Sequence, residues 1–377
     1  MKIQQRKWTE ANGWELFRND ADITSDALVF AFGAREKVAG CYPDIMGFYP
    51  NSDIIINSTS GEIIGSEVLD DSIVLTAIQF EKTKYQIAHI NIKNCADSFD
   101  AGRQLANVLT RDCLKHVMVI SDGGLVNGSE LVKGLNEHLR EDVIVTGGLA
   151  GDAARFEKTL VGYNENPDVG NIVAVGLCGD DFYIGYGSVG GWDSFGPKRM
   201  VTKSNANELF ELDGLSALEL YKKYLGEKAK DLPGSALLFP LSIQFEVNSK
   251  SLVRTILSID EEKQSMIFAG DIPEGATVRL MKANFDKLID GAFDAAESGQ
   301  QVWKGKQPEL AILISCVGRK LVLDQRIEEE IESVHEVIGE TIPTIGFYSY
   351  GEISPFAGYV NCELHNQTMT ITLMGEG

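Results

Sequence analysis

The runs Ser58-Thr59-Ser60-Gly61-Glu62-Ile63 and Tyr348-Ser349-Tyr350-Gly351-Glu352-Ile353 set Gly-Glu-Ile directly after a β-rich stretch, once near each end of the chain. One such pair carries no information, but the same pair in the same strand context twice does. Each sits in a segment with one plan: apolar strand, connection, second strand, Gly-rich turn, late alternating strand. The first segment holds ALVFAFG (27–33), DIIINST (53–59) and SIVLTAIQF (72–80). The last holds LAILISCVGR (310–319), the helix LVLDQRIEEEIESVHEVIG (321–339), IPTIGFYSYGEI (342–353) and MTITLM (369–374). Between them, HVMVISDGG (116–124), SELVKGLNEHLR (129–140), VIVTGGLAGD (143–152) and NIVAVGL (171–177) repeat the plan with Gly-Gly-Leu-Ala-Gly-Asp at the turn.

The runs ALVFAF, HVMVIS and LAILIS are apolar nearly throughout, the pattern of strands covered on both faces. SIVLTAIQF and YQIAHINIK look instead like meandering strands. The expected fold class is α+β: layered mixed β-sheets covered by helices, in two domains built from a repeated β-(α)-β-turn-β unit. Gly190-Gly191 and Gly196-Pro197 break a hairpin at 181–202. The polar stretch GEKAKDLPGS (226–235) marks the boundary. The expected division is an N-terminal extension at 1–26, a first domain at 27–226, a linker at 227–239 and a second domain at 240–377. The two domains are expected to close on each other about 226–235.

The chain has 377 residues, 44% hydrophobic and 24% charged, enough to bury a core without staples. Its formal net charge of −21 repels phosphate backbones and anionic headgroups, so neither nucleic-acid binding nor membrane insertion is expected. Six cysteines form no C-x-x-C pair. The start MKIQQRKWTE has no apolar run behind its basic residues. A cytoplasmic protein with reduced thiols is expected.

Each repeat brings glycine, hydroxyls and a carboxylate to the C-terminal end of a strand, where ligands of layered α/β proteins bind. The candidate ligand-binding residues are Ser58, Thr59, Ser60, Gly61 and Glu62, then Gly147, Gly148, Gly151 and Asp152. Cys316, Gly318, Arg319, Tyr350, Gly351 and Glu352 complete the set. The carboxylates suit a cationic group, and Arg319 suits a bidentate carboxylate clamp. The alternative is that the glycines serve tight turns and the carboxylates cap backbone N–H groups.

No complete catalytic constellation is visible, so the chain is read as a non-enzyme. Cys316 beside Arg319 leaves open an activated thiol, with a small buried residue as the other reading. His335 stands on the apolar stripe of Ile327, Ile331, Val334 and Ile338. It is read as a core histidine or as a candidate axial ligand for non-covalent haem b; no other metal site is suggested.

The ordered set INSTSGEIIG, TGGLAGD, GYGSVGGWDSFGPKRMVT, DIPEGATVRLMKA, ISCVGR and GFYSYGEISP resembles the FIST family, with both its N-terminal and C-terminal domains, from about Ala27 to Met374. The resemblance implies a stand-alone cytoplasmic sensor of a small polar molecule such as an amino acid. It would report in trans to a histidine kinase or a cyclic-di-nucleotide enzyme. A branch of stand-alone members, NosP, binds haem and senses nitric oxide, and the layout here is similar to that branch.

Overall fold

A computed structural model describes residues 1–24, 26–232, 234–245 and 250–377. The repeats form three six-stranded sheets, and a further, eight-stranded sheet forms a separate lobe. Each repeat begins as a parallel pair: Leu28–Gly33 with Asp53–Ser58, Leu114–Ser121 with Ile144–Leu149, and Leu310–Cys316 with Thr344–Ser349. A late strand then pairs antiparallel with the first: Ile73–Gln79, Asn171–Cys178 and Met369–Glu376. The layered α+β architecture is as the sequence leads one to expect.

Side-chain alternation explains why both faces of these strands are apolar. Leu28, Phe30 and Phe32 point inward to a common core, with Met118 and Ile120 of the second repeat and Leu310, Ile312 and Ile314 of the third. Their neighbours point outward to helices. Val29 and Ala31 meet Arg35–Val38 and Tyr42–Phe48; Val117 and Val119 meet Ser98–Leu109 and Gly128–His138; Ala311 and Leu313 meet Phe285–Gln300 and Ile327–Ile338. Three sheets thus stand around one core with helices outside.

The turns do what no single repeat could do alone: each sends its next strand into a neighbour's sheet. Glu62–Ile64 pairs with Thr344–Ser349 of the third repeat. Gly351–Pro355 of the third pairs with Ile144–Leu149 of the second. Val161–Tyr163 of the second pairs with Asp53–Ser58 of the first. The exchange is cyclic, and it closes the body into one unit.

The lobe consists of Asp193–Asn205, Glu208–Leu212, the helix Ala217–Leu225 and the strands between Leu241 and Lys282 around their own core. The expected division at 227–239 therefore moves. Hydrogen-bonded sheets cross it in both directions: the third sheet contains Phe182–Val189, and the lobe sheet contains Asp193–Asn205. Residues Gly226–Asp231 and Gly234–Leu238 form 3-10 turns with Ala236 buried in the lobe core; Pro233 lies outside the described residues. The chain crosses from body to lobe at Gly190-Gly191-Trp192 and back at Ala283-Asn284. The expected N-terminal extension contributes the strand Lys2–Thr9, which pairs with Ile73–Gln79 in the first sheet.

Cys113 and Cys178 form a disulfide with Cα atoms 4.9 Å apart, a departure from the expected six reduced thiols. Among the described residues, no helix is long and apolar enough to cross a membrane.

Glycine decides one helix contact. A Cβ on Gly134 would collide with the Phe99 carbonyl, and one on Gly102 with the Leu131 carbonyl, so Ser98–Leu109 and Gly128–His138 touch backbone to backbone. Gly134→Ala is expected to push them apart at a cost of about 1–3 kcal/mol, read as a lower urea midpoint with an unchanged slope. An unchanged midpoint would show that the pair has room to give.

Candidate functional site

The three turns do converge. Ser60 N donates to Tyr348 O (2.8 Å), Tyr350 N to Leu149 O (3.2 Å), and Gly151 N to Ser58 O (3.0 Å), a ring of three equivalent bonds. The ring fixes the true alignment of the repeats: Ser60, Tyr350 and Gly151 correspond. Asp152 therefore matches Gly61 and Gly351, not Glu62 and Glu352.

Glu62 and Glu352 are wired alike. Thr59 Oγ1 donates to Glu62, and Ser349 Oγ to Glu352 (2.6 Å), each from three residues upstream. Ser72 gives its amide (3.3 Å) and hydroxyl (2.6 Å) to the other Glu62 oxygen, and Thr368 does the same for Glu352 (3.2 and 3.0 Å). Both donors immediately precede a late strand, so each carboxyl staples a turn to that strand. Burial pushes Glu62 up to about 7 and Glu352 up to about 8, against the lowering effect of these donors. Asp152 is an ion-paired carboxylate instead, held by Arg35 Nη1 (2.8 Å), Arg155 Nε (2.7 Å) and Lys158 N (3.1 Å). In the second repeat the staple is Asp122. It accepts from Gly124 N (2.8 Å), Leu125 N (2.6 Å) and Gly170 N (2.9 Å), the last just before the strand Asn171–Cys178.

The junction is solid. Ser58 Oγ donates to Gly151 O (2.8 Å) and Ser60 Oγ to Ala153 O (3.0 Å). A Cβ at Gly147 would strike Val119 backbone, one at Gly148 Ile314, one at Gly151 Ser60, and one at Gly351 Leu364. Lys320 packs over Gly61, with Nζ donating to Ser60 O (3.0 Å) and pairing with Asp70. The Gln367 amide covers Gly318. These glycines let the repeats approach each other.

Arg319 is fully buried and wholly engaged: Nε donates to Glu330 (2.7 Å), Nη1 to Gly190 O and Nη2 to Leu288 O (2.7 Å). A ligand carboxylate finds no donor there. Cys316 is buried too, and burial pushes its thiol up, the reverse of activation.

His335 does not fit an axial haem ligand. Nδ1 lies 3.3 Å from Gly339 O and Nε2 3.2 Å from Gly65 O. The neighbouring hollow mixes Phe17, Ile342 and Pro343 with Arg18, Glu332, Glu336 and Glu340, so charged side chains stand where a porphyrin face needs a continuous apolar wall.

A cavity of about 440 Å³ opens between body and lobe. Its body wall is the loop Gly123–Gly128 at the start of the helix Gly128–His138, with Phe156, Lys158 and Tyr350. Its lobe wall includes Leu257, Ser258, Ile267 and Phe268. Tyr350 is the one candidate residue from the sequence that lines it. Glycine is needed at position 123, where a Cβ would hit Ala150 O; a Cβ on Gly124 would meet Asp122 Oδ1 at 3.7 Å and Thr159 Oγ1 at 3.9 Å, ordinary contact distances. The Asp-Gly-Gly after HVMVIS signals such an Asx-type loop, but nothing local announces the lobe wall facing it.

The FIST N domain matches residues 27–215 and the FIST C domain residues 217–355. An uncharacterized protein of Methanocaldococcus jannaschii is 22% identical over 383 aligned positions, spanning 90% of this chain and 72% of that protein. A crystal structure of cyanuric acid hydrolase from A. caulinodans aligns over 78% of this chain and 99% of its own, at 9% identity and a TM-score of 0.19, too low to carry any inference.

Proposed function

The chain belongs to the FIST family, whose domains are small-molecule sensory modules, and from that premise we propose that its ligand binds between body and lobe. The carrying observation is the cavity of about 440 Å³, with one wall from each part. Its size lies in the range of small-molecule sites. A ligand touching both walls changes the free energy of holding them together, which is what a sensor needs in order to shift a population. The occupant is a small molecule with polar groups, and the output passes to a separate kinase or cyclic-di-nucleotide enzyme. Binding without turnover is favoured by the buried, raised thiol of Cys316. The hinge is the double crossing at 190–192 and 283–284, in place of 226–235.

The test is a thermal-shift screen of amino acids and small organic acids against the wild type and Gly124→Leu. The new side chain fills the cavity from a position where a Cβ makes only ordinary contacts. A ligand at about 100 times its Kd adds about 2.7 kcal/mol, a rise of a few degrees in Tm. The wild type is expected to show that rise and Gly124→Leu to lose it. A variant that responds like the wild type would place the ligand elsewhere.

A further inference from the structure

We propose that the cavity between body and lobe selects a planar aromatic ring carrying an anionic group. The inference rests on the sensor reading above and adds the chemistry of what is sensed.

Phe156 carries the ring half of the argument. It is 36% exposed, lines the cavity, and lies stacked on Tyr350 with ring centroids 4.6 Å apart and planes 20° apart. Its backbone is left-handed, φ 55°, a conformation a bulky residue adopts only when its surroundings impose it. The imposing contacts are visible. The Phe156 amide donates to Tyr350 Oη (3.0 Å), and that hydroxyl donates to Ala153 O (3.3 Å). Asp152 gathers Arg155 and the Lys158 amide, which fixes the loop on both sides of Phe156. Ala153, also left-handed at φ 51°, completes the bend. The result is a flat aromatic surface held in place at the cavity wall. Leu125, Leu257, Ile267 and Phe268 supply apolar walls around it. An offset stack on a ring already fixed by a second ring needs no reordering when the ligand arrives.

Lys158 carries the charge half. The charged side chains on the cavity wall are Glu157 and Lys158. Glu157 lies 3.4 Å from Arg35 Nη1, a guanidinium that Asp152 and Glu36 also share, whereas the Lys158 ammonium has no ion-pair partner among the described residues. Lys158 is thus the cation on the cavity wall that a ligand anion can pair with. The loop amides do not make a phosphate cradle: Gly123 N is taken by Thr159 Oγ1 (2.9 Å), and Gly124 N and Leu125 N by Asp122. The anionic group is therefore met by a side chain at the rim, while the ring lies on Phe156.

Isothermal titration of the full chain tests this with four probes. Indole-3-acetate and adenosine monophosphate are aromatic anions with a carboxylate and a phosphate; L-glutamate is a non-aromatic anion; indole is a neutral ring. At least one aromatic anion is expected to bind at least tenfold tighter than glutamate and indole, and the tighter of the two identifies the acidic group. Phe156→Ala is expected to weaken it at least tenfold. Lys158→Gln, an exposed change that keeps the chain folded, should weaken it severalfold and leave indole unchanged. Glutamate binding as tightly as the aromatic anions overturns the ring assignment and leaves the cavity as the sensor site. No binding by any of the four overturns the aromatic-anion assignment, while the sensor reading stands or falls on the thermal-shift screen with Gly124→Leu. Aromatic-anion binding indifferent to both substitutions also overturns the proposal.

Discussion

Arg319→Met is expected to destabilise the protein by about 3–5 kcal/mol, the cost of leaving a buried charge without its partner. Arg319 and Glu330 are both fully buried, 2.5 Å apart at Nη2. With the guanidinium gone, Glu330 retains, among the described residues, Ser315 Oγ (3.0 Å) and Tyr348 Oη (3.1 Å) as donors. The Gly190 and Leu288 carbonyls lose their donors as well, and they flank the two chain crossings between body and lobe. The damage should therefore concentrate at the hinge. Urea unfolding should show the loss in midpoint, and limited proteolysis should show faster cleavage at Gly190–Trp192. Adding Glu330→Gln should recover part of the loss, because the orphaned charge is then removed. A loss under about 1 kcal/mol in the single variant would mean that water reaches Glu330.

Stability is expected to hold level from about pH 4.5 to 6.5 and then to fall by about 3 kcal/mol toward pH 8. Glu62 and Glu352 are raised from 4.5 to about 7 and about 8, with burial as the main cause. The native state therefore binds protons that the unfolded chain has released. Their contribution is complete below 4.5 and is lost as pH rises through 7 and 8. His116 and His365 act in the opposite direction. Burial holds them neutral, lowered from 6.5 to about 3 and about 4, so their contribution is complete above 6.5 and is lost as pH falls. Between 4.5 and 6.5 the two pairs cancel; above 6.5 only the glutamates titrate. Glu352→Gln should remove most of the alkaline decline, leaving the smaller share of Glu62. Urea midpoints across the range measure this, and a wild type with no decline above about pH 6.5 would show both carboxyls already ionised.

The strands were legible because alternation survives burial on both faces. Phe30 and Ala31 are adjacent, both apolar, and point into different cores. The lobe was not legible, because Asp193–Asn205 precedes the apparent boundary and pairs beyond it, with Thr277–Lys282. Composition alone matches Asp152 to the glutamates; the ring of backbone bonds shows the offset of one residue. Arg319 and Cys316 stand out in the sequence by their chemistry, but burial, which a sequence does not display, sets what they do. Most of the cavity escaped for a related reason: its walls come from 123–128, 156–159 and 257–270, and no local pattern joins them.

The cyclic exchange of strands also governs how the chain is made. Gln5 donates to Thr344 O across 339 positions, and Glu62–Ile64 pairs with the strand that includes Phe347. At roughly 5–20 residues per second, the first repeat, complete at Gln79, waits about 14–54 s on the ribosome for the strand Thr344–Ser349 that covers its edge. Over that interval an apolar strand end stands open to other chains. Newly made protein should therefore depend on a holding chaperone well before any ligand matters, and slowing translation should lower the yield of soluble chain more than it lowers synthesis.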